Sequence, residues 1–161
     1  MTPDAQGGEV NGEGRKIDVQ YAVSGDGIPV TEVIRQWAGK VLQEQSGSAE
    51  LTVRIVDEAE ITALNRQFRG KDGATNVLSF PYEGMPGVTS DLLGDVVVCA
   101  PVVANESVAQ NKPLEAHWAH IVIHGVLHLL GHDHTHDDEA HRMEACETGL
   151  LASLGYPDPY A

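Results

Sequence analysis

All eight histidines of this chain lie between His117 and His141. The densest stretch reads His117-Trp-Ala-His120-Ile-Val-Ile-His124-Gly-Val-Leu-His128-Leu-Leu-Gly131-His132-Asp133-His134. On a helix turning 100° per residue, His117, His120, His124 and His128 fall within an arc of about 80°. The other faces carry Trp118, Ile121, Val122, Ile123, Leu127, Leu129 and Leu130. Satisfying four imidazoles one by one on an otherwise apolar helix is costly, so a shared metal ion is the better account.

Spacing selects among them. Histidines at i and i+4 stand one turn apart and can reach the same ion. Three in a row cannot, because the outer pair is about 12 Å apart at 1.5 Å per residue. Gly131 is the natural point for the chain to leave the helix, and His134 then stands where it can close a site with His124 and His128. The resulting His-x3-His-x5-His pattern matches the last part of the metzincin signature HExxHxxGxxH, whose three histidines bind catalytic zinc. Gly125, however, occupies the place of that signature's glutamate base, which argues against peptide hydrolysis. Three neutral nitrogens leave a coordination position open, the arrangement of a catalytic site. His132 and His136 are competing loop ligands, while His117, His120 and His141 are expected to back the ligands or lie at the surface.

The elements that must position these residues follow from periodicity. Ile17, Val19, Tyr21 and Val23 alternate as in a half-buried strand, and a helix follows Pro29 to about Gln45. Leu51, Val53 and Ile55 form a second strand. Asp57 and Glu60 open a second helix in a capping-box-like start, and Gly70 closes it. A third strand covers about Asn76 to Phe80. A fourth spans Gly94 to Cys99, and its continuous apolar run, Val96 to Cys99, points to burial on both faces. Pro101 opens a short helix to Ala109, and Pro113 opens the histidine helix to Leu130. Asp137 and Asp138 cap a last helix that ends at Gly155. The expected fold is α+β: one domain with a small mixed four-stranded sheet, about five helices and a zincin-like metal-site helix.

With 161 residues, 42% of them hydrophobic, the chain is long enough for one well-buried core. Residues 1–14 hold little to bury and read as a disordered N-terminal extension, leaving 15–161 as the functional domain. There are 24 acidic against 10 basic side chains, a net charge of −14. Such a chain does not coat nucleic acid by bulk attraction. The apolar stretches are too short or too broken by histidine to span a bilayer, and the first residues lack the apolar core of a signal peptide. A cytoplasmic protein with two reduced, buried cysteines, Cys99 and Cys146, is expected.

Three longer segments, HGVLHLLGHDH (124–134), LNRQFRGKDGATNVLSFP (64–81) and LLGDVVV (92–98), together resemble the YbeY family of bacterial metal-dependent endoribonucleases. PLEAHWAHIVIHG (113–125) and LGYPDPY (154–160) fit as well. The resemblance implies cleavage of single-stranded RNA in ribosomal RNA processing, including maturation of the 16S rRNA 3′ end, with roles in ribosome biogenesis and ribosome quality control. It implies one divalent metal ion, usually zinc, on His124, His128 and His134, and it makes Arg69 a residue needed for activity. Its implied partners are single-stranded RNA and the small ribosomal subunit with its associated proteins; neither membrane nor DNA is expected.

Two positions depart from the family pattern: His132 stands where tyrosine is usual, and Asn76 where aspartate is common. By position alone, Arg69 is a solvated arginine complementing the end of its helix. Its planar donor fork nevertheless suits a phosphodiester oxyanion, and Arg66 and Lys71 beside it make a short basic strip for RNA. Asp95 is expected to orient backbone or a metal-site histidine, and Met143 to be a plain core residue. The rival functions are a ribosome-assembly binding factor with a structural metal and a minimal metalloprotease.

Overall fold

The computed structural model describes residues 9–11, 14–43, 48–84, 86–87, 90–132 and 136–161. Ten elements follow in order: β1 (Glu9–Asn11), β2 (Arg15–Tyr21), α1 (Thr31–Leu42), β3 (Ala49–Val56), α2 (Glu58–Arg69), β4 (Val77–Pro81), β5 (Leu92–Cys99), α3 (Ala100–Ala109), α4 (Leu114–Leu129) and α5 (Asp137–Ser153). The sheet order is β1-β2-β3-β5-β4. β2 and β5 both pair parallel to β3, and β4 pairs antiparallel to β5. The mixed four-stranded sheet and five helices read from the sequence are therefore present.

A three-residue edge strand, β1, extends that sheet by pairing antiparallel with β2, Glu9 opposite Ile17. It lies within the stretch read as an extension. Hydrogen bonding to a neighbouring edge needs no apolar side chain, so hydropathy did not foretell it. Residues 1–8 and 12–13, the rest of that stretch up to Gly14, lie outside the described residues.

The helices cover both faces of the sheet. One core holds Ile17, Val19, Leu51, Val53, Val96 and Val98 from the strands under Trp37 of α1 and Trp118, Val122 and Val126 of α4. A smaller cluster on the other face joins Val56, Leu78, Val97 and Cys99 to Ile61 of α2. β5 is thus buried on both faces from Val96 to Cys99, as its unbroken apolar run required.

Local chemistry sets the ends of the helices. Asp57 caps α2 by accepting from the Glu60 backbone N–H at 2.9 Å, and Gly70 ends it in the left-handed region with φ of 65°. At α5 the N-cap is His136, and Asp137 and Asp138 sit in the first turn, where they complement the helix dipole rather than cap it. Cys99 is buried, but Cys146 is exposed on α5, which corrects the expectation of two buried thiols.

Candidate metal centre and adjoining cleft

α4 places its imidazole stripe as the spacing required. Successive ring centroids along His117, His120, His124 and His128 lie 6.2, 6.2 and 4.8 Å apart. The other side of the helix is core, with Trp118, Val122, Ile123 and Val126 at 1% exposure or less. Gly131, at φ of 101°, breaks the helix, and the His132 N–H reaches back to Leu127 O at 3.0 Å. The chain therefore leaves α4 where the sequence indicated. His134, the expected third ligand, lies outside the described residues.

Gly125 explains why no glutamate follows the first histidine of the motif. A Cβ here would stand 2.6 Å from Val96 Cγ1 and 3.0 Å from Val77 Cγ2. α4 lies that close to β4 and β5 at this point, and Ser79 Oγ donates to Gly125 O at 2.7 Å across the contact. A larger residue has no room.

Behind His124 stands Glu147 of α5, a fully buried carboxylate. It accepts from His124 Nδ1 and from the Tyr160 hydroxyl, and His120 Nε2 lies 3.4 Å from its other oxygen. Burial pushes the Glu147 carboxyl up, but the hydrogen bonds from His120, His124 and Tyr160 outweigh it and hold the pKa down at about 2. An ionised carboxylate can only accept, so His124 carries its proton on Nδ1, and coordination by this residue has to run through Nε2. Metal-binding histidines are commonly held by such a carboxylate.

His120, His124 and Glu147 also bring ligand atoms within 4.8 Å of one another, close enough to hold an ion among themselves. The direct His124–Glu147 hydrogen bond favours the other arrangement, with Glu147 backing His124 and His128 one turn further on. The first arrangement offers imidazole nitrogens and a carboxylate and the second imidazole nitrogens, and either donor set suits a divalent transition metal.

The remaining histidines divide by environment. His117 is buried and its Nε2 lies 2.8 Å from Glu106, which also accepts from Asn76 Nδ2 at 3.2 and 3.3 Å. His132 lines a cavity of about 670 Å³ with Lys40 and Cys146. His136 and His141 are exposed. Met143 is 2% exposed, a core residue as expected.

Arg69, at the end of α2, lines a separate cleft of about 540 Å³ with Phe68, Ser79, Phe80, Tyr82, Glu83 and Asp95 among its walls. Its Nη2 donates to Ser79 O at 3.4 Å. Ser79 therefore links Arg69 through its carbonyl to the residue after His124 through its hydroxyl. Lys71 is exposed nearby, but Arg66 turns to Asp72 in an exposed ion pair at 3.1 Å. Asp95 opens onto this cleft, and withdrawal from water raises its pKa. It does not touch a described histidine.

Glu147 and Tyr160 escaped the sequence reading. The signal for Glu147 was a carboxylate at i+4 from Met143 and four residues before Leu151, on the buried stripe of α5. Tyr160 carried no comparable pattern.

The solution structure of TM1509 from Thermotoga maritima is similar to this chain: TM-score 0.60 at 29% identity, over 86% of this chain and 88% of that one. The family model of endoribonuclease YbeY matches residues 21–155, which take in the histidine helix, the Arg69 cleft and Glu147. The chain belongs to the YbeY endoribonuclease family.

Proposed function

We propose that the protein is a metal-dependent endoribonuclease that cuts single-stranded RNA during ribosomal RNA maturation in the cytoplasm, including at the 3′ end of 16S rRNA. Ribosome biogenesis and ribosome quality control are its setting, with the small ribosomal subunit and its associated proteins as partners. His124, His128 and His134 hold one divalent ion, with zinc the best match to three imidazole nitrogens. When bound, such an ion supplies a Lewis acid for a phosphoryl oxygen and lowers the pKa of a bound water.

The protein's own residues do the rest. Glu147 keeps the His124 proton on Nδ1. Arg69 presents its guanidinium fork to a phosphodiester oxygen, with Ser79 tying its strand to the histidine helix. Lys71 extends the positive edge toward the RNA backbone, and Arg66 joins it on giving up its ion pair with Asp72. The observation that carries this reading is the His124–Glu147 pair beside Gly125: a histidine oriented for a metal, next to a position with no space for a protease's base.

The test is metal analysis of the purified protein together with cleavage of single-stranded RNA before and after chelation. Stoichiometric metal, loss of cleavage on its removal and recovery on its return are expected. Undiminished cleavage by metal-free protein would sink the proposal. The binding-factor alternative predicts that Arg69→Ala retains full cellular function.

A further inference from the structure

We propose that the cleft beside Arg69 is a nucleobase subsite, in which Phe68 and Tyr82 stack on an unpaired base and Asp95 accepts from its exocyclic amine. This rests on the endoribonuclease reading and adds to it a reason for single-strand preference.

Aromatic residues are scarce in this chain: two Phe, four Tyr and two Trp. Both tryptophans are core residues at 1% exposure. Both phenylalanines and Tyr82 instead line this one cleft. Phe68 is 58% exposed and Tyr82 49% exposed, so neither ring is there to fill the core. Phe68 is nevertheless held in place: it meets Phe80 edge to face, with centroids 5.3 Å apart and planes at 69°. A fixed, exposed ring is what base stacking needs.

The charges around the cleft argue for a base rather than a phosphate inside it. Glu83 and Asp95 line it, and carboxylates repel a phosphodiester. They do accept hydrogen bonds from the amino groups of cytosine, adenine or guanine. Among the described residues no side chain pairs with Asp95. Arg69, the cation in the cleft wall, is then placed for the phosphate of the same nucleotide. A volume of about 540 Å³ falls in the range of small-molecule sites and admits one nucleoside. Ser79 lines this cleft and bonds to the residue after His124, so a base held here keeps its phosphodiester beside the candidate metal centre. In a duplex both faces of each base are already stacked, so only a single strand can offer one.

The test uses a single-stranded RNA of mapped cleavage position and analogues carrying one abasic ribose at each flanking position. Wild-type cleavage of the parent RNA is read first; its absence would remove the endoribonuclease reading and this subsite together. With cleavage established, the Phe68→Leu/Tyr82→Leu double variant is expected to raise KM about 5- to 150-fold, the equivalent of one lost stack. Its kcat should stay within about twofold, with metal content and melting temperature unchanged, and Phe68→Tyr should retain the wild-type KM. One abasic position should impose the same penalty on the wild type and none on the double variant. Asp95→Asn should narrow the preference for amino-bearing bases over uracil at that position. A flat abasic scan, or penalties that add in the double variant, would overturn the subsite and leave the endoribonuclease reading standing.

Discussion

Glu147→Gln separates two ways of building the metal centre. The substitution keeps side-chain shape in a site with no solvent exposure but removes the charge that accepts from His124 Nδ1 and Tyr160 and faces His120 Nε2. If Glu147 only orients His124, metal affinity should fall about 10- to 100-fold, the usual cost of losing a carboxylate behind a ligating histidine. That is about 1.4–2.7 kcal/mol. At saturating metal the same difference appears as lost stabilisation, and for a chain of this size it lowers the metal-dependent gain in Tm by about 3–10 °C. The assay is competition with a chromophoric chelator, paired with melting curves with and without metal, so that any loss of metal-free stability cancels. His128→Ala is the companion variant. If His120, His124 and Glu147 hold the ion directly, His128→Ala should bind metal as the wild type does. Wild-type affinity in Glu147→Gln would refute any role for Glu147 at the centre.

Three further substitutions test the surrounding design. Arg69→Ala should keep fold and metal content, because the side chain is exposed and makes one long contact to Ser79 O. RNA cleavage should fall about 10²- to 10³-fold, as when a donor to a developing oxyanion is removed; kinetics on single-stranded RNA check this. Gly125→Ala brings a methyl to 2.6 Å from Val96 Cγ1, and overpacking of about 1–3 kcal/mol is partly offset by about 1 kcal/mol of helix propensity. Gly125→Glu should cost more than about 3 kcal/mol in urea denaturation and confer no peptidase activity. Asn76→Asp sets a carboxylate against Glu106, where the amide now donates at 3.2 Å. It should destabilise by about 1–3 kcal/mol at neutral pH. The like charge raises the folded-state pKa of the pair, so denaturation midpoints should recover as pH falls and one carboxyl is protonated.

The features legible in the sequence were those whose cause is local. Asp57 and Gly70 bound α2 through bonds within a few residues of themselves, and Val96–Cys99 declared burial on both faces by composition alone. The stripe on α4 follows from helical pitch. What escaped depends on partners far along the chain. Glu147 meets His124 across 23 positions, and the histidine pattern does not show which carboxylate will stand behind it. The departure at Asn76 finds its partner only in the fold, where its amide donates to Glu106, 30 positions away. Arg66 looked available for RNA in the sequence, yet Asp72 engages it once α2 ends and the chain turns back.

That loss of Arg66 bears on how an acidic chain handles RNA, and the salt dependence of KM tests it. Arg15 and Arg35 are buried and donate to main-chain carbonyls, Arg54 pairs with Glu60, and Lys112 donates to Pro159 O. Near the cleft this leaves Arg69 and Lys71, with Arg66 only by surrendering Asp72, so about one to three phosphates are neutralised. For single strands the slope of log affinity on log salt is about −0.7 per phosphate. Raising salt from about 50 to about 200 mM should then raise KM about 3- to 20-fold. At the same single-strand slope, a protein with six to ten phosphate contacts loses about 3 × 10²- to 2 × 10⁴-fold over that interval. A slope in that steeper range would mean that cations elsewhere dominate binding and that base stacking beside Arg69 is not the main source of affinity. A shallow slope, together with the abasic penalty, would mean that this chain finds unpaired RNA through its bases, for which a net charge of −14 is no obstacle.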